Sequence, residues 1–194
     1  MKSKILFTLA LIFTSTNLFA HPLHGTQSGF SNGFFHPLLG LDHILAMLAV
    51  GLWAMQMGGK ARWIIPVSFV TIMPLGGVLG MNNINLPFAE IGILASVVVL
   101  GVLILAGIRL PLIAGSLLVG AFALCHGHTH GTELPAAVSG VNYAIGFAVT
   151  TIILHAAGSG IGAFVNKTAG EKLVRFSGAA IIAAGLILTY NYFL

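Results

Sequence analysis

The sequence predicts an all-α polytopic membrane protein, a bundle of six transmembrane helices that follows an N-terminal signal peptide. Hydrophobic residues make up 57% of the 194 residues and charged residues only 6%, and the mean hydropathy is +1.02. This composition excludes a soluble domain, and the chain has room for about six helices of roughly 20 residues each. A cytoplasmic ATPase domain does not fit, and the sequence contains no phosphate-binding P-loop motif.

The first element, residues 1–20, is predicted to be a secretory signal peptide. Two lysines precede an apolar core, and the stretch ends at Ala20. Leu18 is bulky at a position where cleavage favours a small residue, so an uncleaved, membrane-anchored start is the alternative. Residues 21–194 then form a single transmembrane domain. Cleavage after Ala20 would place two further candidate metal ligands near the new N-terminus, His21 and His24.

The first predicted span, residues 37–57, carries an acid and an imidazole within an otherwise apolar stretch. Pro37 suits the first position of a helix. A charge at bilayer depth costs at least roughly 2.5–3.5 kcal/mol, so Asp42 beside His43 favours an ion or proton pathway over a buried structural pair. Helical spacing places His36 two turns above His43. The same face carries Met47, Val50, Gly51 and Ala54.

Five further spans are predicted along the rest of the chain. Three of them begin at or just after a proline, as expected at a helix start. Glycine and alanine recur at helix-packing spacing, which predicts close contacts between helices. The predicted ranges are 62–81, 87–107, 111–126, 135–158 and 172–194.

The basic residues predict the orientation of the bundle. With the mature N-terminus outside, every basic loop falls on the cytoplasmic side, in agreement with the positive-inside rule. The net charge of +4 therefore reflects membrane topology and does not indicate binding of nucleic acid. Both mature termini are expected outside the cytoplasm. The basic residues that these loops contain are Lys60, Arg62, Arg109, Lys167, Lys172 and Arg175.

A second polar cluster, residues 125–135, lies at the outer end of the fourth predicted span. Histidines alternate with small residues there, and a glutamate follows them. Neutral imidazole binds Ni, Co, Zn and Cu well, and a carboxylate can complete such a site. A solvated His-rich loop is the alternative, and the glutamate would equally suit the start of the next helix. The candidate ligands are His126, His128, His130 and Glu133.

A third candidate, His155, is expected near the inner end of the fifth span, where it would complete a pathway from outside to inside. A hydrogen bond to a neighbouring helix is the alternative. Met47 and Cys125 are weaker candidates because both residue types more often fill a core. Cys125 is the only cysteine, which excludes an intrachain disulfide. Three polar residues of the fifth span could line the pathway or bridge helices: Asn142, Thr150 and Thr151.

Taken together, these motifs resemble those of the HupE/UreJ family of small membrane proteins. The resemblance lies in HPxxGxDH at 36–43, HGxxHGxExP at 126–135 and LHxxG at 154–158, and it extends over the mature chain. It implies a six-helix nickel permease of the bacterial inner membrane, associated with the proteins that mature hydrogenase or urease. It also leaves the role of His128 open. The residues to which it gives a role in uptake are His36, Asp42, His43, His126, His130 and Glu133.

We therefore expect a secondary permease without a prosthetic group, in which a divalent cation passes from the outer histidines to Asp42 and His43 and then past His155. An intramembrane metal-dependent hydrolase and a periplasm-facing metal-binding accessory protein are the alternatives. The hydrolase would need one three-ligand site, whereas the histidines are spread along the proposed pathway. The choice of nickel as the transported ion depends on the resemblance, because the same residues also suit Co²⁺, Zn²⁺ and Cu.

Overall fold

The computed structural model describes residues 29–135 and 137–194. The predicted signal peptide, His21 and His24 lie outside the described residues. Within them the chain forms seven helices and the short segments that connect them. These are α1 (Gly29–Leu39), α2 (Leu41–Met57), α3 (Ala61–Met81), α4 (Ala89–Ala106), α5 (Leu112–Thr132), α6 (Gly140–Ala169) and α7 (Glu171–Phe193).

Five of these helices, α3 to α7, are long and apolar enough to cross a membrane. The pair α1 and α2 meets the same criterion only as a unit, and its two helices are bent by 83°. The described residues therefore contain five spans, or six if the bent pair is one broken span. The predicted class, an all-α bundle with several membrane spans, is confirmed.

The first span differs from its prediction because the helix breaks at Gly40. Gly40 has extended backbone angles, φ −100° and ψ 120°, and α2 begins after it. Pro37 is accordingly not the first residue of the span but lies in the last turn of α1. His36 is thus on a different helix from His43, and the prediction that it stacks two turns above His43 is wrong.

Two other predicted spans have wrong boundaries, and both contain candidate residues. α5 continues to Thr132 instead of ending at residue 126, so all three histidines of the second cluster are helical. α6 begins at Gly140, where the Ser139 hydroxyl accepts a hydrogen bond of 3.4 Å from the backbone N–H of Asn142. Because α6 runs on to Ala169, His155 lies in its middle and not near its inner end.

Glycines bring the helix axes close together, as the small-residue pattern predicted. A Cβ atom on Gly127 of α5 would overlap the carbonyl oxygen of Met73 in α3, and one on Gly80 of α3 would overlap the carbonyl oxygen of His128. Gly158 of α6 meets α2 in the same way. These approaches fix the relative positions of the helices that carry the histidines.

The two ends of the bundle differ in chemistry. At one end, which we call the basic end, Arg109 lies 3.9 Å from Glu171, and Arg175 donates from Nε to the Leu105 carbonyl at 2.9 Å. The opposite end, the histidine end, carries the histidines of α1, α2 and α5. An apolar core separates the two ends. Its largest fully buried side chains include Trp53, Phe69, Met47, Ile65 and Leu100.

Candidate metal centre

Three imidazoles from three helices meet at the histidine end. We call His36 of α1, His43 of α2 and His130 of α5 the triad, and one potential ligand atom of each lies within 4.8 Å of the others. His43 and His130 are buried, and their Nε2 atoms face each other in direct contact. The break at Gly40 makes the triad possible, because it turns α1 so that His36 reaches the other two rings.

Carboxylates lie behind two of the three rings. Asp42 Oδ1 is 2.6 Å from His43 Nδ1 and also accepts the backbone N–H of His43 at 2.8 Å. Glu133 Oε2 is 3.4 Å from His130 Nδ1, an ion-pair contact that is too long for a strong hydrogen bond. A carboxylate on one ring nitrogen orients a metal-ligating histidine and raises its basicity. In both cases the arrangement leaves Nε2 directed into the triad.

A line of ring contacts leads from the triad into the bundle. The ring centroids of His43 and His126 are 5.0 Å apart, those of His126 and Phe69 are 5.5 Å apart, and those of Phe69 and His155 are 5.2 Å apart. All four side chains are buried. His126 Nε2 also lies 3.3 Å from the hydroxyl of Ser96. His126 therefore lies between His43 and His155 in this series of contacts, whereas the expected pathway placed it among the outer histidines, ahead of Asp42 and His43.

His155 stands out because its polar atoms have no partner. The residue is 2% exposed, and neither ring nitrogen has a hydrogen-bond partner within the described residues. Buried polar groups are nearly always hydrogen-bonded, so an exception calls for an explanation such as a water or an ion. The alternative reading of His155, a hydrogen bond to a neighbouring helix, has no support here.

His128 lies apart from the triad. A helix has 3.6 residues per turn, so His126 and His130 share a face of α5 whereas His128 points elsewhere. Its Nε2 donates to the Ile84 carbonyl at 2.8 Å, which fastens α5 to the segment that follows α3. The structure thus gives this additional histidine a role in packing.

Aromatic side chains that the sequence reasoning missed enclose the triad. The Phe147 centroid lies 5.0 Å from that of His130 and 6.0 Å from that of His36, and Tyr143 is 5.9 Å from His36. Tyr143 and Phe147 are four residues apart on α6, a spacing that places them on one face. That spacing is visible in the sequence, but nothing there connects the pair with His36.

A cavity of about 360 Å³ opens onto the triad. The chain has only four acidic residues, and three of them, Asp42, Glu90 and Glu133, line this cavity. No lysine or arginine of the described residues is among its lining. Glu90 was not a candidate from the sequence. It shares the cavity wall with Tyr192 of α7, and the distribution of charge favours a cation in this space.

The remaining sequence candidates lie outside the triad. Met47 is fully buried in the core, and the Cys125 sulfur faces Gly92. The Thr150 hydroxyl donates to the Phe34 carbonyl at 2.6 Å and so bridges α6 and α1. The Thr151 hydroxyl lies 4.0 Å from the Met73 sulfur, and Asn142 is exposed.

The donor set suits a borderline transition-metal ion. Imidazole nitrogens suit Zn, Cu, Fe and Ni, whereas Mg²⁺ and Ca²⁺ require oxygen ligands. The triad supplies three imidazoles, and Asp42 supplies negative charge beside them without being a member of the triad. The geometry can hold a divalent cation, and the ring contacts lead away from it towards the middle of the bundle.

Comparison with known proteins gives two matches that together cover nearly the whole chain. A family model described as HupE / UreJ protein matches residues 9–188. The chain is 43% identical over 189 residues to Protein HupE of Rhizobium leguminosarum bv. viciae, and the match covers 96% of this chain and 97% of that protein. No solved structure matches this chain.

Proposed function

The chain belongs to the HupE/UreJ family, and from this premise we propose that it is a secondary permease that imports Ni²⁺ across the bacterial inner membrane without ATP. One observation carries the proposal: the buried series of ring contacts from the triad through His126 and Phe69 to His155. A site that only stores a metal has no need of a second, unpartnered imidazole deeper in the bundle.

We propose that the histidine end faces the periplasm and the basic end the cytoplasm. The positive-inside rule supports this orientation, since Arg62, Arg109 and Arg175 belong to the basic end. In this arrangement α1 and α2 together form the first of six spans, both mature termini are periplasmic, and residues 1–20 act as the signal peptide.

Capture of the ion begins in the cavity. Its three carboxylates raise the local concentration of cations, and the triad then exchanges water ligands for imidazole nitrogens. Asp42 offsets part of the cost of removing a doubly charged ion from water, and it keeps His43 oriented through Nδ1. The ion moves on to His126 and His155 as the triad releases it.

The membrane potential is a sufficient driving force. Moving a doubly charged ion inward across about 100 mV releases roughly 4.6 kcal/mol. That free energy corresponds to about three decades of accumulation at roughly 1.4 kcal/mol per decade. The protein therefore needs only a selective pathway, which agrees with a short chain that has no nucleotide-binding motif.

Nickel is proposed as the cargo because of the resemblance to nickel permeases of hydrogenase and urease maturation. The donor set by itself also suits Co²⁺, Zn²⁺ and Cu. The proteins that mature nickel enzymes are the proposed partners on the cytoplasmic side, where they would take up the imported metal.

An intramembrane metal-dependent hydrolase is the second candidate, and one observation favours it. The sequence predicts histidines spread along a pathway and not in a single three-ligand site, yet three of them meet in the triad. Three protein ligands with one open position are the usual arrangement of catalytic zinc. The hydrolase reading, however, gives no role to His155.

Measuring metal flux distinguishes the permease from the hydrolase and from the accessory protein. Purified protein in liposomes is tested for uptake of radioactive nickel with and without an inside-negative potential, and the same vesicles are tested for lipid hydrolysis. We expect potential-driven uptake by the wild type that is lost in His43→Ala. Glu171→Gln, at the basic end, serves as the matched control and retains uptake.

Metal binding without flux would contradict the permease. Turnover of lipid in those vesicles would then favour the hydrolase. Binding with neither flux nor turnover would favour the accessory protein that handles metal outside the cytoplasm.

A further inference from the structure

We propose that Phe69 is the barrier of the metal pathway, a ring that separates the triad and His126 from His155 and must move aside for each ion. The proposal rests on the permease function and extends it from the site of binding to the step that limits passage. Nothing in the sequence singles out Phe69.

The position of Phe69 supports this role. Its ring makes edge contacts with His126, at 5.5 Å and an interplanar angle of 61°, and with His155, at 5.2 Å and 90°. Phe69 is 0% exposed. Among the ring contacts of the described residues, it is the one apolar ring that touches both imidazoles.

The neighbouring polar atoms support the same reading. His126 Nδ1 and both nitrogens of His155 lack hydrogen-bond partners, so potential ligand atoms lie on either side of an apolar ring. An aromatic ring offers a divalent cation none of the lone pairs that imidazole offers. Hydrophobic constrictions close a pore by excluding water, and the ring has the position and character of such a constriction.

Glycine contacts keep the surrounding backbone in place while the side chain moves. Gly76 of α3 meets the Leu124 carbonyl of α5, and Gly51 of α2 meets the His155 carbonyl of α6, both without room for a Cβ atom. Because α3 packs closely on α5, and α2 on α6, a change of the Phe69 side-chain rotamer would open the pathway with less disturbance than a helix displacement.

Accessibility of a thiol at position 155 tests the barrier. Cys125 is the only cysteine, so Cys125→Ser gives a background in which His155→Cys is the single reactive site. A small cationic methanethiosulfonate reagent is added to one face of membrane vesicles that contain free cysteine to destroy reagent leaking through the lipid. Inverted vesicles test the other face, and labelling after denaturation gives the amount of protein.

We expect Phe69→Ala to raise the labelling rate from the histidine end by roughly tenfold or more, as for the removal of a hydrophobic constriction. The rate from the basic end is expected to stay the same. Phe69→Leu keeps an apolar side chain there and is expected to label like the wild type. Ile65→Ala, a matched truncation of a fully buried residue one turn nearer the basic end, is expected to leave the rate from the histidine end unchanged.

Equal labelling rates from the histidine end in Phe69→Ala and the wild type would overturn the proposal that Phe69 is the barrier. A rise in Ile65→Ala as large as that in Phe69→Ala would overturn it as well. The labelling needs no metal transport, so its result is independent of the permease. If the wild-type protein takes up nickel but Phe69→Ala does not change the labelling rate, the permease proposal stands and the barrier proposal is wrong. If labelling changes as expected but the wild-type protein takes up no nickel, Phe69 is a barrier to water and the permease proposal is wrong.

Discussion

The histidine end and the basic end are built from the same bundle of helices, yet they differ in the charged side chains that they carry and in what surrounds those side chains. At the histidine end, three carboxylates and three imidazoles line one cavity that has no lysine or arginine in its described lining. At the basic end, Arg109 lies 3.9 Å from Glu171, and Arg175 donates to the carbonyls of Leu105 and Ala106. One end concentrates negative charge and metal ligands, and the other places arginines beside an acid and helix carbonyls.

The few charged side chains of this chain therefore fall into two groups with different surroundings. Those of the basic end include Arg175, which donates to the carbonyls at the end of α4, where a cation is favourable. Those of the histidine end line the cavity beside the triad, and acids within membrane helices are costly and usually functional. Substitutions at the two ends should therefore have very different effects on uptake.

The largest effect is expected within α5 from His130→Ala. Removing a direct ligand should reduce nickel uptake by more than about 100-fold, beyond the 10- to 100-fold typical of a residue that only supports a ligand. His128→Ala is the matched control, since His128 is equally buried but bonds to the Ile84 carbonyl. Uptake is measured in proteoliposomes and normalised to inserted protein. Similar losses in both variants would mean that the triad is not the site.

A smaller but clear effect is expected from Asp42→Asn. The amide keeps the size of the side chain but loses the charge that orients His43, so the apparent affinity for nickel should fall about 10- to 100-fold. The dependence of the uptake rate on nickel concentration measures this change. Wild-type affinity in a normally inserted protein would remove Asp42 from the mechanism.

Acid should weaken uptake more gently. An imidazole must be unprotonated to bind a metal, so uptake should fall as the external medium is made more acidic. If one proton competes with the metal, the loss should reach roughly tenfold for each pH unit below the point at which that competition begins. The initial rate is measured at a fixed potential. A rate that rises as the pH falls would contradict metal capture by neutral imidazoles.

The smallest effect is expected from Glu90→Gln, which removes one carboxylate of the cavity but no member of the triad. Uptake at low nickel concentration should fall roughly threefold in dilute buffer and less at high salt, since such charges are screened. Glu171→Gln, the same change at the basic end, should leave uptake unaltered. If the two variants behaved alike, the contrast between the ends would be lost.

The candidate residues separate into those that local rules could place and those that they could not. The helical period already puts His126 and His130 on one face and His128 on another, and only the predicted end of the helix at residue 126 hid this arrangement. That end was wrong because Gly127 and Gly131, which suggest a helix stop, serve instead as close contacts with α3. Local propensity was overridden by packing in the membrane.

No local rule could have placed His36, Phe69 or Phe147. The triad joins residues 87 positions apart along the chain, and the turn at Gly40 decides whether His36 reaches it. Phe69 looks like any other apolar residue of a membrane helix until its neighbours are known.

From the sequence come the membrane class, the positions of the apolar stretches, the asymmetry of charge and the polar residues that such stretches would not carry without a function. These follow from composition and period, which act on short segments of chain. Which of those residues meet is settled only in the folded bundle. Contacts between helices depend on how glycines let backbones approach and on the 83° bend between α1 and α2, and both are properties of the packed bundle rather than of any one segment.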